Sequence, residues 1–226
     1  MKYLIFGIAL LISISSYGQD IKRLNYQLDI GPTVTIPYNH ITNINLVTTK
    51  YNCGVGFFTE MNCCYNINNQ YSLACGVNYS FCNLKTDYTI GAERLKLNVL
   101  SQSITVPLEF KLRVFTSKPF FIRVGGYFGT VLSTKEKGTQ YIDTTKFQPI
   151  QNPPLPTTII VSETLNNGFI LTYGLSARVE YIIKVNDNIG LVVFSKFSYG
   201  WSYWHQYQHK DKDLNYNLLF GIGINI

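Results

Sequence analysis

Eight stretches of this chain alternate apolar and polar residues with a period of two, and every formal charge in them falls on one parity. Successive side chains of a strand point to opposite faces. Such a pattern therefore describes strands with two unlike faces and is not that of an amphipathic helix. The stretches run from Leu24 to Ile36, Tyr51 to Met61, Tyr71 to Phe81, Leu100 to Val114, Phe120 to Leu132, Phe169 to Ile183, Ile189 to Tyr203 and Leu214 to Ile226. Of the 57 positions on the apolar parity, 51 are hydrophobic and none is charged. The exceptions are Pro32, Thr59, Gln102, Gly126, Thr130 and Ser195. The opposite parity carries Asp29, Glu60, Glu109, Lys111, Arg113, Arg123, Arg178, Glu180, Lys184 and Lys196.

The connections alternate in length. Long polar stretches occupy 37–50, 83–98, 133–167 and 204–213, and short ones occupy 62–70, 115–119 and 184–188. The short ones hold turn formers such as Asn66, Asn68-Asn69, Ser117-Lys118-Pro119 and Asn186-Asp187-Asn188. Eight antiparallel strands joined in this order place all long loops at one end and both termini at the other. An even strand number with short turns at one end and long loops at the other is the signature of a transmembrane up-and-down β-barrel. The expected fold is all-β, a single eight-stranded antiparallel barrel.

Alternation alone does not say which face is inside, because a soluble carrier barrel alternates too, with its apolar face inward. Three features decide for lipid outside. The interior of an eight-stranded barrel is only just wide enough to be filled by side chains, and 51 apolar residues, many of them aromatic, would overfill it. Charged residues make up 14% of the chain, against about 25% in an ordinary soluble domain. Aromatics also collect at the strand ends in two groups, as at the two bilayer interfaces. Tyr51, Tyr79, Phe81, Tyr199, Trp201, Tyr203 and Tyr216 fall at the long-loop end, and Tyr26, Tyr71, Phe120, Tyr181 and Phe220 at the short-turn end.

The N-terminus reads as an export signal. Met1-Lys2 is a short basic start, Tyr3 to Ile14 is apolar, and Ser16 and Gly18 suit a cleavage site before Gln19. Residues 1–18 are the expected signal peptide and 19–226 the expected barrel, in the outer membrane of a Gram-negative-type cell. A net charge of +6 for the whole chain comes without any run of basic residues interleaved with aromatics, so nucleic acid is not an expected partner. Five cysteines lie within thirty residues, at 53, 63, 64, 75 and 82. Their odd number does not resemble a disulfide framework, with a bridge through Cys63 or Cys64 as the alternative. Vicinal Cys63-Cys64 lacks the second pair that zinc requires, so no metal and no cofactor is expected.

Several segments resemble the outer-membrane β-barrel proteins called PorT-like. One is the strand Ile104-Thr105-Val106-Pro107-Leu108-Glu109-Phe110-Lys111. It is followed by a Gly-rich strand, Phe120 to Gly129, and the chain closes with Phe220-Gly221-Ile222-Gly223-Ile224-Asn225-Ile226. The resemblance spans the mature chain and implies an integral outer-membrane barrel, with membrane lipids and the outer-membrane assembly machinery as partners. Many such barrels end in an aromatic residue, whereas this chain ends in Ile226.

Candidate chemistry lies in the lumen and the loops. Glu109, Lys111 and Arg113 share one strand face, Arg123 comes from the next strand, and Arg178, Glu180 and Lys196 from a later hairpin. Buried charges are costly unless paired, so these seven are expected to form an ion-pair network that plugs the barrel. The competing reading is an ion-conducting path. A structural or surface-interaction role is expected rather than an enzyme, and no catalytic residue is assigned. The alternative is an outer-membrane enzyme using loop residues His205, His209 and Asp211, since imidazoles beside a carboxylate can serve general acid–base chemistry. His40 lies alone in another loop. The 133–167 loop contains the rigid Gln151-Asn152-Pro153-Pro154-Leu155-Pro156, and Thr157 to Ser162 is suited to extending a hairpin beyond the membrane.

Overall fold

A computed structural model describes residues 24–37, 41–44, 47–90, 93–142, 158–165, 170–186, 188–203 and 212–226. Its strands are β1 (Leu24–Pro37), β2 (Ile41–Ile44), β3 (Val47–Asn66), β4 (Tyr71–Ile90), β5 (Glu93–Arg113), β6 (Phe120–Ile142), β7 (Thr158–Leu165), β8 (Ile170–Lys184), β9 (Gly190–Tyr203) and β10 (Lys212–Asn225). Eight of them, β1, β3, β4, β5, β6, β8, β9 and β10, form a closed antiparallel barrel. Closure is made by β1, which pairs with β10 from Gln27↔Asn225 to Pro37↔Asn215 and with β3 from Leu24↔Tyr65 to Thr35↔Gly54. A closed barrel leaves no edge strand, so its backbone groups are satisfied between neighbours, as hydrocarbon demands.

The parity rule holds around the wall. Leu175 is 62% exposed and Ile222 57%, whereas Arg123 and Arg178 are fully buried. An apolar outer surface of this extent far exceeds what a water-soluble monomer shows, and the soluble carrier with an apolar interior is overturned. Two exceptions on the apolar face have local explanations. The hydroxyl of Tyr79 donates to Oε1 of Gln102 across the β4–β5 pair at 3.2 Å, so that amide oxygen does not meet lipid unpaired. Ser195 stands directly opposite Phe220, which supplies bulk where serine has none. An aromatic group at the long-loop end links Tyr173, Trp201, Tyr199 and Tyr216 through ring contacts of 5.1–5.6 Å.

Two of the described turns are held by side-chain amides. Asn68 Oδ1 accepts from the backbone N–H of Gln70 and Tyr71, and Asn186 Oδ1 from that of Asn188 and Ile189, each at 2.8–2.9 Å. Inside the wall, Tyr127 lies against the backbone of Gly174 and Gly200. A Cβ on Gly200 would stand 1.8 Å from the Tyr127 hydroxyl, and one on Gly174 2.8 Å from its ring carbon. Glycine is needed at both places for the ring to lie flat on the wall.

The structure corrects the loop assignment. The 83–98 stretch is no loop: β4 and β5 stay paired as far as Ile90↔Glu93. Within 37–50, the short β2 pairs with β3, and within 133–167, β6 continues to Ile142 and is joined by β7 from Thr134↔Leu165 to Tyr141↔Thr158. Strand pairing needs no apolar face, so the ladder runs on beyond the point where hydrophobic alternation stops. Two irregularities reset the parity on the way, one between Asn52 and Val55 of β3 and one where β5 passes Gln102/Ser103 and Leu132 of β6 is skipped. Such bulges occur at barrel rims and re-aim the side chains that follow.

All five cysteines are free thiols. Cys63 stands opposite Cys75 on the outer face, and Cys64 is buried on the inner one.

Candidate functional site

Register brings the basic side chains together before any side-chain contact is considered. Lys111 pairs with Arg123, Arg123 with Arg178, and Arg178 with Lys196, so four cations stand side by side across β5, β6, β8 and β9. Like charges in directly opposed strand positions repel. The compensating carboxylates come partly from the facing wall, where Asp29 of β1 and Glu60 of β3 are themselves a directly opposed pair. Glu109 and Glu180 complete the set from β5 and β8. Among the described residues, the buried charged groups are four acids and four bases, Asp29, Glu60, Glu109 and Glu180 against Lys111, Arg123, Arg178 and Lys196.

The contacts run along the basic wall and across the lumen. Arg178 Nη1 meets Asp29 Oδ2 at 2.7 Å and Glu60 Oε1 at 3.5 Å, and Arg178 Nε meets Glu180 Oε2 at 2.9 Å. Lys196 Nζ bridges Glu60 and Glu109 at 2.9 and 2.8 Å. Arg123 Nη2 reaches Glu180 Oε2 at 2.9 Å and donates to Gln27 Oε1 at 2.6 Å, while Lys111 pairs with Glu180. Neutral donors fill much of the rest: Asn62 to Asp29 and Glu60, Asn78 to Glu60, Gln27 to Asp29 and Ser176 to Glu109, at 2.8–3.2 Å. The Arg178 guanidinium also lies 3.5 Å over the Phe194 ring. That ring packs edge-on against Phe58 in a small apolar cluster with Val192 and Leu219, inside the barrel.

Seven residues were candidates from the sequence, and the structure gathers six of them, Glu109, Lys111, Arg123, Arg178, Glu180 and Lys196. Arg113 is not in the network. It sits at the short-turn mouth, where its Nε donates to the Phe115 carbonyl at 3.1 Å and braces the β5–β6 turn. Asp29 and Glu60 belong to the group although they were not placed in it. Their polar-face parity is plain in the sequence, but only closure of β1 on β3 brings them opposite Arg178 and Lys196. His40, His205, His209 and Asp211 lie outside the described residues. Among the described residues, no cluster of three His, Cys, Asp or Glu side chains could hold a metal ion.

The network lies between two cavities. Toward the long loops a space of about 160 Å³ has hydroxyl and amide walls, including Thr33, Ser80, Ser103, Ser198 and Asn217, with Glu60 and Lys196 also in its lining. Toward the short turns a cup of about 350 Å³ is lined by Asn25, Asn66, Asn68, Ser72, Lys111 and Arg113 among others.

The sequence pattern of the outer membrane protein beta-barrel domain matches residues 17–226. The chain belongs to this family. Members of the outer membrane protein beta-barrel family reside in the outer membrane, and so does this chain. No curated protein sequence matches it. Among solved structures, Neisserial surface protein A is 13% identical, with a TM-score of 0.41 over 91% of this chain and 97% of that one. The attachment invasion locus protein Ail of Yersinia pestis is 14% identical, with a TM-score of 0.39 over 89% and 98%. The outer membrane protease OmpT of Escherichia coli is 10% identical, with a TM-score of 0.39 over 93% and 99%.

Proposed function

We propose that this outer-membrane barrel has a structural or surface-interaction role and that its lumen is closed by the charge network. The observation that carries this reading is the four-against-four balance of buried charges, tied across the lumen from Asp29 and Glu60 to Arg178 and Lys196. A group of ions whose charges balance four against four offers no fixed net charge to attract a permeant ion. Phe58 and Phe194 narrow the same lumen. The role is not enzymatic. Membrane lipids and the outer-membrane assembly machinery are its partners in this reading, and the resemblance of the Ile104–Lys111 strand and the closing Phe220–Ile226 strand supports a PorT-like barrel within the family.

Conductance tests the closed lumen. The protein reconstituted into a planar lipid bilayer is expected to give no sizeable steady current at moderate voltage. A steady wild-type conductance would assign the lumen to ion passage and end the plug reading.

A further inference from the structure

Above the apolar band, charge is sorted between the two faces of the extended β3–β6 wall. Lys50, Lys85, Arg94, Lys96, Lys135 and Lys137 all stand exposed, on the side that continues the lipid-facing surface. Glu93 and Glu136 are half-buried on the lumenal side. Asp87 is the outward acid among the described residues here, and it is taken up by Arg94. That hydrogen bond holds the Asp87 carboxyl below its usual pKa. Lys85, Lys135 and Lys137 have no ion-pair partner among the described residues. On the β8–β10 side, the top of the apolar band carries Tyr173, Tyr199, Trp201 and Tyr216.

Register gives the height of these cations. Counted along each strand, Lys85 lies four residues beyond Phe81, the last exposed apolar residue of β4, and Lys135 and Lys137 lie three and five beyond Leu132 of β6, one residue of each β6 count being taken up by the bulge. At about 3.4 Å per residue and a tilt of about 40°, the three ammonium groups stand roughly 5–10 Å above the hydrocarbon. The polar layer of one leaflet is about 5–8 Å deep. Lys85 and Lys137 are two strands apart, about 10 Å, with Lys135 about 7 Å from Lys137. The result is a triangle of unpaired cations at headgroup depth, facing sideways into the leaflet.

We propose that this face binds phosphorylated lipid headgroups of the outer leaflet, with Lys85, Lys135 and Lys137 as its principal contacts. Their ammonium groups would donate to phosphate oxygens as point charges. The inference rests on the lipid-facing wall and is independent of whether the lumen conducts.

The test titrates the mature barrel, folded in neutral detergent, with bisphosphorylated lipid A and with dephosphorylated lipid A, reading bound lipid by native mass spectrometry. Wild type is expected to bind the phosphorylated lipid preferentially and to lose it as ionic strength rises. Lys85→Gln/Lys135→Gln/Lys137→Gln should weaken that binding at least about tenfold, whereas Lys118→Gln/Lys184→Gln at the other end should not. A heated-versus-unheated gel shift confirms that each variant is folded. The salt response of wild type gives a readout that needs no variant. Equal binding of the two lipids, wild-type affinity in the triple variant, or competition by inorganic phosphate at equal concentration would each overturn the proposal. Binding of a sulfated polysaccharide in place of lipid A would overturn it as well.

Discussion

Glu180→Gln is expected to destabilise the barrel by about 3–5 kcal/mol, the usual cost of removing one partner from a buried ion pair. Glu180 touches three cations, Lys111, Arg123 and Arg178. Its loss would leave four buried bases facing three carboxylates. Urea unfolding of the protein in lipid vesicles reads the effect as a lowered midpoint. Arg123→Gln should cost a comparable amount, and the double variant less than the sum, because charge balance returns. The coupling between adjacent network members should be of order 0.5–3 kcal/mol. A wild-type midpoint for Glu180→Gln would mean that the network does not hold the walls together.

Val124→Arg is expected to cost about 2–4 kcal/mol, the penalty for a cation near the bilayer midplane. Val124 lies on the outer face between Phe110 of β5 and Ala177 of β8 and is 50% exposed in the isolated barrel. In water such a substitution would be mild, since exposed surface changes usually fall within about 0.5 kcal/mol. Asn83→Arg, on the same outer side but above the apolar band, should fall within that small range. The contrast between the two arginines separates lipid from water as the solvent of this surface.

The barrel was legible in the sequence because lipid imposes its rule on every second residue, and no charge violates it within the eight alternating stretches. Strand ends were less legible. At Lys85, Lys96 and Lys137 both faces meet polar surroundings, so no alternation marks strands that are nonetheless paired. The bulge at Leu132 turns Thr134 inward and Lys135 outward, a reversal that no local composition announces. The site was legible by parity and not by partner. Arg123 and Arg178 could be placed in the lumen, but the row of four cations and the acidic pair opposite it depend on register between strands far apart in the chain. Arg113 shared the parity of Glu109 and Lys111 and still fell outside, because it stands one step too near the turn. Phe58 and Phe194 are apolar residues on the polar face, which alternation alone treats as noise and the barrel uses as packing beside Arg178.

Everything above depends on hydrocarbon meeting the side of the wall that carries Leu175 and Val193. The decisive measurement is fluorescence quenching by lipids brominated along their acyl chains. Single tryptophans would be placed at Leu175 or Val193 in a Trp201→Phe/Trp204→Phe background. Strong quenching at both positions in vesicles is the expected result. Tryptophans at those positions that stay unquenched in a folded, vesicle-bound protein would place the apolar face away from lipid and contradict the account.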